Sequence, residues 1–107
     1  DFSSYAYDDV ETKQALAELH QKHNYVADPH GAVGYLGLQR FLENNPDHYG
    51  IFLETAHPIK FRDTVEETLG LTLDIPKQIQ HILDKKPEKT SLSGYEAFKE
   101  YLVSQAV

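Results

Sequence analysis

Near the middle of the chain, Tyr49 to Thr55 (YGIFLET) is a short run rich in aromatic and branched residues, closed off by Asn44-Asn45-Pro46 before it and His57-Pro58 after it. Such a run reads as a β-strand. A strand carries backbone donors and acceptors along both edges, and an apolar one belongs inside a sheet. The 107 residues contain no second convincing run of this kind. Its partner must therefore be another copy of the same segment, or residues that do not belong to this chain. The second is the expectation. The first would follow from leaving an apolar edge open, because such an edge invites pairing with another chain.

Elsewhere the apolar residues recur at helical spacing, and five helices are readable. In the first, within Ala6 to Asn24, Asp8 can cap and Glu11 sits three residues on, as in a capping box, with Thr12, Ala15, Leu16 and Leu19 along one face. In the second, Asp28 caps, Pro29 takes the first helical position, and Ala32, Val33, Leu36 and Phe41 form a stripe that ends at Asn44-Asn45-Pro46. A third spans Phe61 to Leu69 and stops at Gly70, and a fourth spans Pro76 to Lys86 with Ile75, Ile79, Ile82 and Leu83 inward. The last has Ser93 as cap, Glu96 three residues later, and Tyr95, Phe98 and Leu102 on its buried side. The fold class is α/β, a mostly helical piece of about five helices and one strand. No linker or repeat divides residues 1–107.

Composition narrows the function. Apolar and charged fractions of 40% and 25% suit an ordinary globular chain, and no apolar run approaches the roughly 20 residues that span a bilayer. A net charge of −7 has the wrong sign for neutralising phosphates along a nucleic acid. With no cysteine there is no disulfide, thiolate metal site or cysteine nucleophile, and no signal peptide is readable, so the expected location is the cytoplasm. The absence of any methionine is consistent with a piece of a longer chain. His20 and His23 lie i, i+3 on the first helix, but two ligands fall short of the three or four of a zinc site, and no metal is expected.

Two stretches carry chemistry. At the start of the second helix stand Asp28, Pro29 and His30, where free N–H groups and the positive dipole end favour anions. Asp28 can act as a cap alone, and His30 can donate to an anion or remain solvated. Gly31, Gly34 and Gly37 each cost about 0.8 to 1 kcal/mol in a helix interior. Close approach by a backbone or flat ligand would justify them, as would tight packing on a neighbouring element. The second stretch is the strand end, Glu54-Thr55-Ala56-His57-Pro58, where α/β folds gather their ligands. Thr55 and His57 can face a cleft there, or can bond the local backbone and terminate the strand.

Taken in order, DPHGAVG (Asp28 to Gly34) and TAHPIKF (Thr55 to Phe61) resemble the threonine synthase motifs DPHTAVG and TAHPAKF. The resemblance covers the chain from the first helix to about Phe61 and, more loosely, the helices beyond. It implies a C-terminal fragment of a fold-type II enzyme that uses pyridoxal phosphate, a lyase in threonine biosynthesis that converts O-phosphohomoserine and water into threonine and phosphate. In similar enzymes a serine or threonine at the strand end hydrogen-bonds the pyridine nitrogen, a position that falls on Thr55. Asp28, Pro29, His30, Ala56 and His57 are implied as pocket wall. Two positions depart from the motifs: Gly31 replaces threonine and Ile59 replaces alanine.

The Schiff-base lysine and the loop that holds the cofactor phosphate lie far upstream in such enzymes, so this chain has no catalytic residue of its own, and Lys60 is not that lysine. Its partners would be the remainder of the parent enzyme and O-phosphohomoserine, and the isolated piece would be inactive. Two alternatives stand beside this reading. One is another fold-type II enzyme, such as an amino acid dehydratase. The other is an autonomous helical interaction module that dimerises through its strand.

Overall fold

A computed structural model of the chain describes residues 2–83 and 85–106, with Leu83 described through its backbone alone. The chain forms two compact units, Asp1–Ile75 and Pro76–Val107. Among the described residues no helix is long and apolar enough to cross a membrane.

The first unit is built on three helices. α1 (Asp9–His23) starts in a reciprocal capping box, in which the Glu11 N–H donates to Asp8 Oδ1 and the Asp8 N–H donates to Glu11 Oε2, both at 2.9 Å. Ala15, Leu16 and Leu19 are buried, whereas Thr12 is half-buried and turns its hydroxyl to the Asp8 carbonyl. The helix ends where Asn24 adopts the left-handed conformation that asparagine tolerates better than most residues. α2 (Pro29–Asn44) begins as its sequence implies, with Asp28 as cap and Pro29 in the first turn.

α1 packs against both α2 and α3 (Arg62–Leu69). Ala15, Leu16, Leu19, Ala27 and Ala32 form the core, with Tyr35, Leu36, Phe52 and Leu69 partly buried around it. Val65 of α3 is also fully buried. Full burial of a side chain the size of Leu16 contributes about 1.5 to 3 kcal/mol. Residues Pro58–Phe61 form a 3₁₀ turn that leads into α3, which therefore starts one residue later than its spacing suggests and stops at Gly70 with φ 64°.

The strand expected over Tyr49 to Thr55 is not formed: no strand occurs among the described residues. A strand is defined by its ladder, and the described residues offer the segment no partner with which to build one. The pattern of a strand survives in the burial. Phe52 and Glu54 are half-buried against the unit, whereas Tyr49, Ile51 and Leu53 stand 103%, 89% and 75% exposed.

The second unit holds α4 (Lys77–Leu83) and α5 (Tyr95–Gln105). In α4, Ile79 is half-buried but Ile82 is exposed rather than inward, and the Leu83 side chain lies outside the described residues. α5 is not capped by Ser93. Gly94 takes the cap position with φ 150°, a conformation that only glycine adopts readily, and no side chain bonds the first turn. Tyr95, Phe98 and Leu102 are exposed, against the expectation of a buried face. Two helices of 7 and 11 residues are too little chain to close a core.

Candidate functional site

The two motifs meet. Asp28, 0% exposed, sits at the positive end of α2 and serves more than its own helix. Its Oδ1 accepts the His30 N–H at 2.7 Å and faces His30 Nδ1 at 2.9 Å, while Oδ2 accepts the Ala56 N–H at 3.2 Å. With the carboxylate as acceptor, the His30 ring donates from Nδ1. One carboxylate thus caps α2, orients His30 and pins the TAHP stretch to the helix start. His30 is exposed and lies edge-on to Phe61, with ring centroids 5.0 Å apart, which makes a second link between the motifs.

Glu54 completes the cluster. Its Oε1 accepts the Asp28 N–H at 2.8 Å, and Oε2 is buried without a hydrogen-bond donor. Burial first, and then the neighbouring Asp28 carboxylate, push the Glu54 acid up to about 7. Burial would raise Asp28 as well, but hydrogen bonds from Glu54 and from the backbone and ring of His30 outweigh it and hold Asp28 below the usual carboxylate range. Below about pH 7 the proton of the pair therefore resides on Glu54.

Thr55 is exposed between half-buried Glu54 and Ala56, so the anchored neighbours hold out a residue whose own side chain is free to face solvent or a ligand. His57 is exposed and caps the 3₁₀ turn, its Nδ1 accepting the Ile59 N–H at 3.1 Å, which leaves the ring proton on Nε2. Pro29 is half-buried in the first turn of α2. The structure thus brings Asp28, His30 and Ala56 into direct contact and sets Thr55 and His57 on the exposed side of the same stretch.

The glycine series divides. A β-carbon at Gly31 would overlap the Glu54 carboxyl group, whereas one at Gly34 or Gly37 would meet Phe52 or Tyr5 at ordinary distances of 3.8 and 3.7 Å. Close approach therefore accounts for Gly31 alone. Glu54 and Phe61 lie in the two stretches singled out in the sequence, but spacing alone gives neither a role of its own. The available signal for Glu54 was a carboxylate that closes an otherwise apolar run.

The family model for the C-terminal region of threonine synthase matches residues 31–102. The chain belongs to the threonine synthase family. It is 47% identical over 79 residues to the threonine synthase of Escherichia coli (strain K12), a match that covers 74% of this chain and 18% of that protein. Against the threonine synthase of Corynebacterium glutamicum it is 32% identical over 91 residues, which cover 82% of this chain and 18% of the relative. The crystal structure of threonine synthase from Escherichia coli superposes with a TM-score of 0.82 at 38% identity, covering 94% of this chain and 23% of that one.

The chain thus spans about a fifth of the length of the threonine synthases it matches and corresponds to their C-terminal region. This decides for the threonine synthase resemblance over that to a dehydratase.

Proposed function

We propose that this chain supplies one wall of the active site in a lyase that converts O-phosphohomoserine and water into threonine and inorganic phosphate with pyridoxal phosphate. The observation that carries the reading is Thr55, exposed within the family motif while both of its neighbours are tied down. The donor set fits one part of the cofactor. A neutral hydroxyl on an anchored, exposed stretch suits a pyridine nitrogen, since it can donate or accept and does not ionise over the working pH range.

When bound, the cofactor supplies an electron sink for the substrate's carbon centres. In this reading the Thr55 hydroxyl hydrogen-bonds the ring nitrogen and leaves it less fully protonated than a carboxylate partner would. Asp28 holds the first turn of α2 and the TAHP stretch in one rigid piece, and Pro29, His30, Ala56 and His57 shape the wall beside the ring. The lysine that carries the cofactor and the groups that hold its phosphate belong to the remainder of the enzyme. Residues 1–107 alone are inactive.

A chimera tests this. The matching C-terminal region of the Escherichia coli enzyme is replaced by this chain, and phosphate release from O-phosphohomoserine is measured. Activity near that of the parent is the expected result, with loss of the Thr55 hydroxyl in Thr55→Ala lowering kcat by roughly five- to tenfold, as for a lost hydrogen bond of about 1 kcal/mol. A folded chimera without activity would overturn the reading. So would stoichiometric cofactor binding and turnover by the 107-residue chain alone.

A further inference from the structure

Glu54 is a carboxylate at the end of an apolar run, and nothing in either motif accounts for it. One of its oxygens accepts the Asp28 N–H, and the other is buried where no N–H or O–H donor reaches it. A buried carboxylate oxygen without a donor is costly, which favours the neutral acid at Glu54. Asp28 already accepts from the His30 N–H, the His30 ring and the Ala56 N–H, the pattern of an ionised carboxylate. Glu54 is left as the acid. The same carboxyl lies in the space that a β-carbon at position 31 would need, and Gly31 stands where the resembling motif has threonine.

We propose that Glu54 is a positioning residue for Thr55: its carboxyl group fills the space left by the missing side chain of Gly31 and clamps residues 54–56 onto the first turn of α2. The inference rests on the proposed role of Thr55 for its functional meaning. The clamp itself rests on geometry alone. The titratable groups that face Glu54 are Asp28 at the cap, His30 in the first turn of α2 and Tyr25 in the connection before it. The folded acid titrates about 7 against an ordinary 4.5, so the stability it carries is complete below 4.5 and is lost as pH rises through about 7. Asp28, held low, carries stability of the opposite sense, present above 3.8 and lost in stronger acid.

The experiment is an NMR titration of the full 107-residue chain from pH 4 to 9, following the Glu54 side-chain carboxyl and the Thr55 and Ala56 amides. The expected result is one shared step near the raised Glu54 value. Glu54→Gln, which keeps the shape and offers Asp28 a permanent N–H donor, should hold the low-pH positions of Thr55 and Ala56 throughout and abolish the step. A merely structural residue would not transmit its titration to Thr55. Gly31→Thr should lower Tm by a few degrees, because the Glu54 carboxyl must leave its place on the Asp28 N–H, and should cost far less when combined with Glu54→Ala.

A Glu54 that titrates like an ordinary carboxylate, Thr55 and Ala56 signals that do not follow it, or additive losses at positions 31 and 54 would each overturn the clamp. Should Gly31→Thr not fold, the titration and Glu54→Gln decide alone. None of these readouts involves the cofactor. A chimera whose kcat is unmoved by Thr55→Ala would remove the assigned role of Thr55 and leave the clamp standing, so the two failures are distinguishable.

Discussion

α1 and α5 are comparable helices, of 15 and 11 residues, with two acidic residues and one in their first turns. α1 buries Ala15, Leu16 and Leu19, whereas α5 leaves Tyr95, Phe98, Leu102 and Val103 exposed. Helical propensity does not separate them. What differs is the surroundings: α1 meets α2 and α3 within its own unit and closes its start with two side-chain bonds, while α5 starts at a glycine and shares its unit with one seven-residue helix. An amphipathic face becomes a core only where a second apolar face is supplied, and most helical stability comes from that packing.

The contrast can be broken by substitution. Leu16→Ala should cost the most, about 2 to 5 kcal/mol, because it removes a fully buried side chain from the middle of the α1–α2 packing. Denaturant unfolding followed by far-UV circular dichroism would show it. Asp8→Ala should cost about 1 kcal/mol by opening the capping box, read in the same way. Phe98→Ala, equally drastic in side-chain volume, should change stability by less than about 0.5 kcal/mol in the isolated chain. A large loss at Phe98 would show that α5 buries its apolar face after all and would erase the difference between the units.

Legibility in the sequence followed the range of the interaction. The caps at Asp8 and Asp28 and the stop at Gly70 are made within a few residues, so they were readable from spacing alone. The expected Ser93 cap failed for a reason equally local, since Gly94 offers a conformation closed to other residues. The strand failed for a distant reason: its character lies in Tyr49 to Thr55, but its hydrogen bonds need a partner that the described residues do not supply. Glu54 was hidden in the same way. Its raised titration comes first from burial and then from Asp28, 26 residues away in sequence, and no windowed reading of apolar spacing brings the two together.

The bonds from Asp28 to Ala56 and from His30 to Phe61 also have a consequence for how the chain can vary in length. Residues within each motif occupy fixed places in a three-dimensional bracket, so an insertion there would shift Asp28, Glu54 or Ala56 out of register. Between the motifs, the turn over residues 45–50 is largely exposed and carries no part of the bracket. Closing a loop becomes costlier only as the logarithm of its length, about 0.6 kcal/mol for each doubling. Relatives should therefore gain and lose residues at that turn, while the internal spacing of both motifs stays constant.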